Sequence, residues 1–252
     1  MTVAVALVDP PREGLVFSEL VSSTSLTPEA GASLYEAVLA DFFATTAESN
    51  VDVLVNYPTP EMLPGDSTGS PEAEIRTVAA SVLDGSDRTD LRFEVQVGST
   101  RSARVGNAIT HLLRDEEETS AAFVDHRVPL LERSLLDQAA IKLRRSETVL
   151  GPAPDGDVYF AGFTDPIDFT DVMDDGPLET IVSRSVDDGA SVDFVEGREV
   201  LGIPRDLRSV VSSLRARRTA GMRVPTHTMA AIDEMGLRLA GNELVVENGG
   251  NR

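Results

Sequence analysis

Residues 2–11 read TVAVALVDPP, and this stretch decides the class of fold. A valine-rich apolar run occupies residues 2–8 and ends at an aspartate and two prolines. Such a short run, closed by turn residues, is typical of a β-strand that is buried on both faces. Strands of this kind occur in parallel sheets that are covered by helices. We therefore predict an α/β protein with this strand at the centre of a mostly parallel sheet.

The rest of the chain alternates between strand and helix patterns, which is the rhythm of a parallel sheet with helices on both faces. One helix is predicted to begin at Pro28, because Thr27 is a good N-cap and proline suits the first helical position. Further strands are predicted at residues 51–56, 91–97, 120–124 and 191–195, with two more inside 149–163. The predicted helices are 28–48, 71–83, 102–113, 129–145, 178–187, 204–218 and 226–234.

Domain organisation follows from the same pattern. Residues 1–218 are predicted to form one α/β domain, and residues 219–252 a C-terminal helical extension with a tail. Within that extension Thr226 is expected to cap the last helix, residues 243–246 are expected to add an edge strand, and the final ENGGNR is expected to be disordered.

The composition is strongly acidic, with 42 acidic against 22 basic residues and a formal net charge of −20. All basic residues except Lys142 are arginine. A dense carboxylate surface tolerates high salt, which screens its repulsion, so we expect a halophilic, archaeal protein in the cytoplasm. Nucleic acid is not an expected partner, since no basic stripe is present. No membrane span is expected either, because the N-terminal apolar run is too short.

Cysteine is absent from the sequence, which excludes disulfides, thiolate zinc sites and a cysteine nucleophile. The chemistry must therefore come from other side chains. In an open parallel sheet, ligands bind beyond the carboxyl ends of the strands. The loops that follow predicted strands in this way are residues 9–19, 56–71, 125–129 and 151–157.

Asp125, His126 and Arg127 form the densest polar cluster that follows a predicted buried strand. A carboxylate beside an imidazole could hold a divalent metal, and an arginine could bind a phosphate through two parallel hydrogen bonds. The alternative is structural, with Asp125 and Arg127 capping and pairing around the next helix.

The tetrapeptide PDGD at residues 154–157 has the composition of a β-turn, with proline, glycine and aspartate at suitable positions. That structural interpretation is the simpler one. Asp155 and Asp157 could also serve as metal ligands or as a base at the mouth of the sheet. Spacing alone does not choose between these alternatives.

These motifs together resemble the glycosyltransferase-A-like proteins described as radical-SAM/selenodomain-associated glycosyltransferases. The resemblance covers roughly residues 2–214, and its most specific pieces are residues 26–43 and the segment LGPAPDGDVYFAGF at 150–163. It implies the nucleotide-diphospho-sugar transferase fold, a nucleotide or nucleotide-sugar ligand, and Mg²⁺ or Mn²⁺ as the metal. The family's Gly-Pro-x-x-Asp-Gly-Gly-Tyr element is largely kept, through Gly151, Pro152, Asp155, Gly156 and Tyr159.

Three other family elements have changed. After the first strand, Phe17 and Glu19 replace the lysine and arginine that would neutralise phosphates. Arg127 stands where the family's metal-binding aspartate belongs, and the element at residues 200–207 lacks both leading aspartates. An arginine in the metal position could bind phosphate without a cation.

The resemblance thus implies a set of site residues. The catalytic candidates are Asp125, Asp155 and Asp157, and Asp125 and Asp155 are the metal candidates. The substrate-binding candidates are Pro11, Arg12, Ser18, His126, Arg127, Gly156 and Tyr159. Transfer of a sugar from a nucleotide-sugar is the leading functional hypothesis. A non-catalytic descendant used for binding or assembly is the alternative, and a nucleotidyltransferase is a weaker one.

Overall fold

The structure, a computed structural model, describes residues 1–65, 68–83, 91–241 and 243–246. Its main feature is a sheet of seven strands in the order β3-β2-β1-β4-β6-β5-β7. The strands are β1 (Thr2–Leu7), β2 (Asp52–Tyr57), β3 (Arg92–Val95), β4 (Ser120–Val124), β5 (Thr148–Pro152), β6 (Val158–Phe163) and β7 (Val192–Phe194). The helices are α1 (Ser18–Ser22), α2 (Pro28–Ala47), α3 (Pro71–Val82), α4 (Arg101–Thr110), α5 (Arg133–Lys142), α6 (Pro177–Asp187), α7 (Pro204–Thr219) and α8 (Thr226–Glu234).

The predicted fold class is confirmed by the strand pairings. β1 lies between β2 and β4 and is parallel to both. β6 is the exception, since it runs antiparallel to β4 on one side and to β5 on the other. A three-residue turn, Pro154–Gly156, joins β5 to β6. Because of this reversal, the loop after β5 lies at the same edge of the sheet as the loops after β1 and β4.

Helices cover both faces of the sheet, as predicted. Alternate residues of β1 enter two separate apolar clusters: Ala4 and Ala6 belong to one, and Val3 and Val5 to the other. The first cluster packs against α2, α3, α5, α7 and α8, and the second packs against α4 and α6. This strand is buried on both faces because each face has its own helical layer.

Several boundaries differ from the sequence prediction. α5 begins at Arg133 rather than at residue 129, because Glu132 has an extended backbone. The helix predicted at 102–113 is α4 followed by a π-helical turn at His111–Asp115. The short helix α1 was not predicted, and its N-cap Phe17 has a left-handed backbone with φ of 49°.

The C-terminal segment also differs from the prediction. Instead of one edge strand, it forms a separate hairpin of β8 (Leu237–Ala240) and β9 (Glu243–Val246). The N-terminus of α8 is capped by Asp41 of α2, whose carboxylate accepts hydrogen bonds from the amides of His227 and Thr228. Thr226 therefore does not supply the cap. The predicted disordered tail, ENGGNR, lies outside the described residues.

The predicted loop 57–71 contains a short 3₁₀ turn, Pro60–Met62, and its residues 66 and 67 lie outside the described part. None of the described helices combines the length and the apolar character needed to cross a membrane.

Candidate functional site

A cavity of about 780 Å³ opens at the carboxyl ends of the central strands. Three of the four loops predicted from the sequence line it, namely those after β1, after β4 and between β5 and β6. No described residue of the fourth predicted loop, residues 56–71, lines the cavity. The first turns of α4 and α7 add Arg101, Arg104 and Arg205, and residues of segments 173–177 and 200–203 also line the cavity. Its volume is within the usual range for small-molecule sites, roughly 300–1,000 Å³.

The centre of the cavity wall is an ion pair between Asp125 and Arg127. Asp125 is buried at 3% exposure, and its carboxylate accepts hydrogen bonds from Nε and Nη2 of Arg127 at 3.0 and 2.7 Å. It also accepts from the amide of Arg127 and from Nη2 of Arg101, the latter at 3.3 Å. The carboxylate is thus saturated by donors from this chain.

The charges around Asp125 determine its protonation state. Burial by itself would raise the pKa of Asp125, but the charge and hydrogen bonds of Arg127, with the charge of Arg101, hold the pKa well below its usual range. Asp125 is therefore an ionised partner of arginine at neutral pH. The Nη1 group of Arg127 has no hydrogen-bond partner among the described residues, so this arginine keeps a donor for a ligand.

Behind this ion pair, His126 forms a buried connection to the loop after β1. Its Nε2 lies 2.8 Å from the hydroxyl of Tyr35. That hydroxyl accepts a hydrogen bond from the amide of Asp9 and donates one to the Asp9 carbonyl, each at 3.1 Å. Nε2 of His126 can then donate to Tyr35, which satisfies all three groups. His126 thus holds the exits of β1 and β4 together.

Burial lowers the pKa of His126 to about 4, although the charge of Asp125 acts in the opposite direction. An unfolded histidine has a pKa of about 6.5, so the unfolded state binds more protons between these values. Stability contributed by neutral His126 is therefore complete above pH 6.5 and is lost as the pH falls towards 4. Between pH 6 and 5 the free energy of unfolding should fall by about 1 kcal/mol more in the wild type than in His126→Gln.

Urea unfolding at the two pH values measures this difference. His111→Gln is the matched control, because His111 is exposed and its pKa is raised by Asp115, so its effect should have the opposite sign. Equal pH slopes for the wild type and His126→Gln would show that His126 does not titrate as the geometry requires.

The turn between β5 and β6 supplies the other two acidic candidates. Asp155 has a left-handed backbone with φ of 60°, and its carboxylate pairs with Arg205 of α7 at 2.6 Å. Asp157 accepts a hydrogen bond from the amide of Val158, and its second oxygen lies 4.0 Å from Nη1 of Arg101. Both line the cavity, and Asp157 keeps an oxygen without a close donor among the described residues.

The first turn of α4 was missed by the sequence analysis. Arg101 and Arg104 are three residues apart, so they share one face of the helix, and both line the cavity. Gln96, just after β3, lines it as well. One signal could have identified them: a third parallel strand is followed by the helix cap Thr100 and two arginines within the first turn.

The remaining predicted residues are divided between the cavity and other places. Ser18 lines the cavity, whereas Pro11, Arg12, Gly156 and Tyr159 are outside its lining. Arg12 makes two hydrogen bonds, at 2.8 and 2.6 Å, to the carboxylate of Glu74 in α3. Tyr159 is buried, and its hydroxyl donates to the carbonyl of Glu196. These two side chains have structural partners instead of a position at the cavity.

The donor set does not fit a divalent metal. Both oxygens of Asp125 accept from arginine, and Asp155 has its own arginine partner, so neither metal candidate is free. The position of the family's metal-binding aspartate is held by a cation, Arg127. In the described part of the chain, no group of three or more histidine, aspartate or glutamate side chains could hold a metal ion. Hard divalent cations require several free oxygen ligands, so no step is assigned to a metal here.

Comparisons with known proteins agree with the fold. Residues 72–176 match a family described as an uncharacterized protein conserved in bacteria (DUF2064). A structure from Desulfovibrio desulfuricans G20, provisionally described as a nucleotide-diphospho-sugar transferase, superposes with a TM-score of 0.73 at 19% identity. The match covers 92% of this chain and 94% of that one. The resemblance to a glycosyltransferase-A-like family is thereby confirmed at the level of the fold.

Two further structures match with lower TM-scores. One is 4-diphosphocytidyl-2C-methyl-D-erythritol synthase from Anaerococcus prevotii (TM-score 0.47, 14% identity, 78% of this chain and 87% of that one). The other is the manganese complex of Rv0371C from Mycobacterium tuberculosis (TM-score 0.42, 14% identity, 82% and 96%). No curated protein matches the sequence.

Proposed function

We propose that this chain binds a nucleotide or nucleotide-sugar in the cavity and holds its phosphate groups with arginine instead of a divalent cation. The observation that carries the proposal is the ion pair of Asp125 and Arg127. An internal carboxylate already orients the guanidinium, and Nη1 remains available. Such a fixed arginine is a ready donor for a phosphate oxygen.

Neighbouring charges support the same ligand class. Arg101 shares the Asp125 carboxylate with Arg127, so two guanidinium groups lie at this point of the cavity wall. A diphosphate carries several negative oxygens, and several arginine donors on one wall would match them.

Sugar transfer is the activity that we assign to this site if it is catalytic. The observation that favours it is Asp157, a cavity carboxylate with one oxygen free of close donors, which could accept a proton from an acceptor hydroxyl. A scaffold that binds a nucleotide without transferring a sugar is the alternative.

Calorimetric titration with GDP, UDP and their sugar conjugates tests the proposal. Molar KCl is the appropriate medium, because the net charge of −20 needs screening. We expect micromolar binding, about −8 kcal/mol, with the same dissociation constant in EDTA and in Mn²⁺ within about twofold. Binding that requires Mn²⁺ would refute the arginine assignment, and no binding of any nucleotide would refute the proposed function.

The same samples distinguish transfer from binding alone. Release of nucleoside diphosphate from a sugar conjugate, lost in Asp157→Asn while affinity is kept, would support the transferase. Binding without release would favour the non-catalytic alternative.

A further inference from the structure

The cavity contains a second group of polar side chains, at the carboxyl ends of β1 and β3, that the phosphate assignment does not use. Asp9 follows β1, Gln96 follows β3, and Arg104 lies in the first turn of α4; all three line the cavity. Their donors and acceptors differ from those around Asp125. A ligand group that binds these three side chains must offer hydrogen-bond donors as well as acceptors.

Gln96 has a buried acceptor without a donor. The residue is 4% exposed, and its Nε2 donates to the carbonyl of Asn56 at 2.8 Å, which fixes the orientation of the carboxamide. Its Oε1 is buried and accepts no hydrogen bond from any described residue. A buried acceptor left in this state is costly, and Oδ1 of Asn56 is in the same state.

Gln96 lies beside the segment that carries Asp9. The carbonyl of Asn56 accepts from Gln96 Nε2 and also from the amide of Val8, the residue before Asp9. The side chain of Gln96 therefore crosses the end of β2 and reaches the exit of β1. Both residues line the cavity, so its wall carries the Gln96 carboxamide and the Asp9 carboxylate.

Asp9 is held on a fixed backbone, and its side chain is exposed at the cavity. Tyr35 binds both its amide and its carbonyl. Its carboxylate accepts no hydrogen bond from a described side chain. Desolvation raises the pKa of Asp9, and the charges of Arg104 and Arg127 act in the opposite direction. Arg104 is thus close enough for its charge to act on Asp9. The Nε of Arg104 donates to the carbonyl of Gly98, and its Nη groups have no hydrogen-bond partner among the described residues.

We propose that Asp9, Gln96 and Arg104 read the base of the bound nucleotide and that they select guanine. This inference rests on the proposed nucleotide binding. A carboxylate can accept two parallel hydrogen bonds, and guanine offers two adjacent donors, at N1 and N2. Its O6 and N7 are the acceptors that arginine binds in pairs.

Other common bases fit this wall less well. Uracil has one N–H between two carbonyl oxygens, so a carboxylate facing it gains one hydrogen bond and meets a second acceptor. Cytosine and adenine each place a ring lone pair beside their amino group. Only guanine, among these four bases, matches the two-acceptor wall with two neighbouring donors.

Titration in molar KCl with EDTA tests the base assignment, using GDP, inosine diphosphate, UDP and xanthosine diphosphate. Inosine diphosphate lacks only the 2-amino group of guanine. We expect it and UDP to bind about tenfold more weakly than GDP. This comparison needs no variant, so it does not depend on whether a variant folds.

Asp9→Asn sharpens the test, because an amide can donate to O2 of xanthine and accept from N1–H, but cannot accept from both donors of guanine. The variant should bind GDP at least tenfold more weakly and prefer xanthosine diphosphate. Glu13→Gln is the matched control, because Glu13 lies in the same loop but outside the cavity lining, and it should keep the wild-type preference.

The outcomes separate the two proposals. Equal affinity for GDP, inosine diphosphate and UDP, or an equal loss for every nucleotide in Asp9→Asn, would overturn the guanine assignment and leave nucleotide binding intact. No binding of any of the four would overturn both.

Discussion

Asp125→Ala is expected to lower the free energy of unfolding by about 3 kcal/mol, a large effect for one side chain. The substitution leaves the guanidinium of Arg127 without its carboxylate partner in a largely buried position. About one third of Arg127 is exposed, which places the estimate at the lower end for broken buried ion pairs. Urea denaturation in high salt measures the loss.

Two further variants test whether the loss of stability comes from the ion pair. Asp165→Ala breaks the pair with Arg114, in which both partners are exposed, and should cost at most about 1 kcal/mol. The double variant Asp125→Ala/Arg127→Met should recover part of the loss, because Arg127, the cation that loses its main partner, is removed as well. If Asp125→Ala costs no more than Asp165→Ala, the ion pair does not stabilise this site.

Arg127→Met is expected to weaken the binding of nucleoside diphosphates about a hundredfold, because it removes a charged donor to phosphate in a partly desolvated cavity. Mn²⁺ should not restore the affinity, since no set of oxygen ligands is created. Arg127→Lys keeps the charge but loses the guanidinium fork, so a loss of about tenfold is expected. Calorimetry with and without Mn²⁺ measures these changes.

Arg114→Met is the control for this variant, because it changes the net charge by the same amount at an exposed position outside the cavity lining. It should bind as the wild type does. Unfolding curves of Arg127→Met must also be recorded, since Asp125 then keeps only Arg101 as a cationic partner. Unchanged binding by folded Arg127→Met would contradict the proposed function.

Much of the sheet could be predicted because its strands are short apolar runs whose burial is a local property of the sequence. Residues 2–8 and 120–124 carry that pattern, and both form neighbouring central strands. The position of β6 between β4 and β5 could not be predicted in this way, since strand order depends on pairings between distant segments. The start of α5 was missed because Glu132 is extended, which propensity does not reveal.

The candidate site divides in the same way. Asp125 and Arg127 are two residues apart, so the structural alternative of pairing between them could be stated from the sequence. The pairing of Arg12 with Glu74 could not be predicted, because Glu74 lies 62 residues away in the sequence. Arg101 reaches Asp125 from the start of another helix, which only the folded sheet reveals.

The cap on α8 has a consequence for how the chain matures during translation. The carboxylate of Asp41 is buried. It accepts hydrogen bonds from the amides of His227 and Thr228, which lie 186 and 187 positions further along the chain. Until residues 227 and 228 have been synthesised, water must take the place of these two amides at the Asp41 carboxylate. This helical layer is therefore completed late relative to the folding of α2.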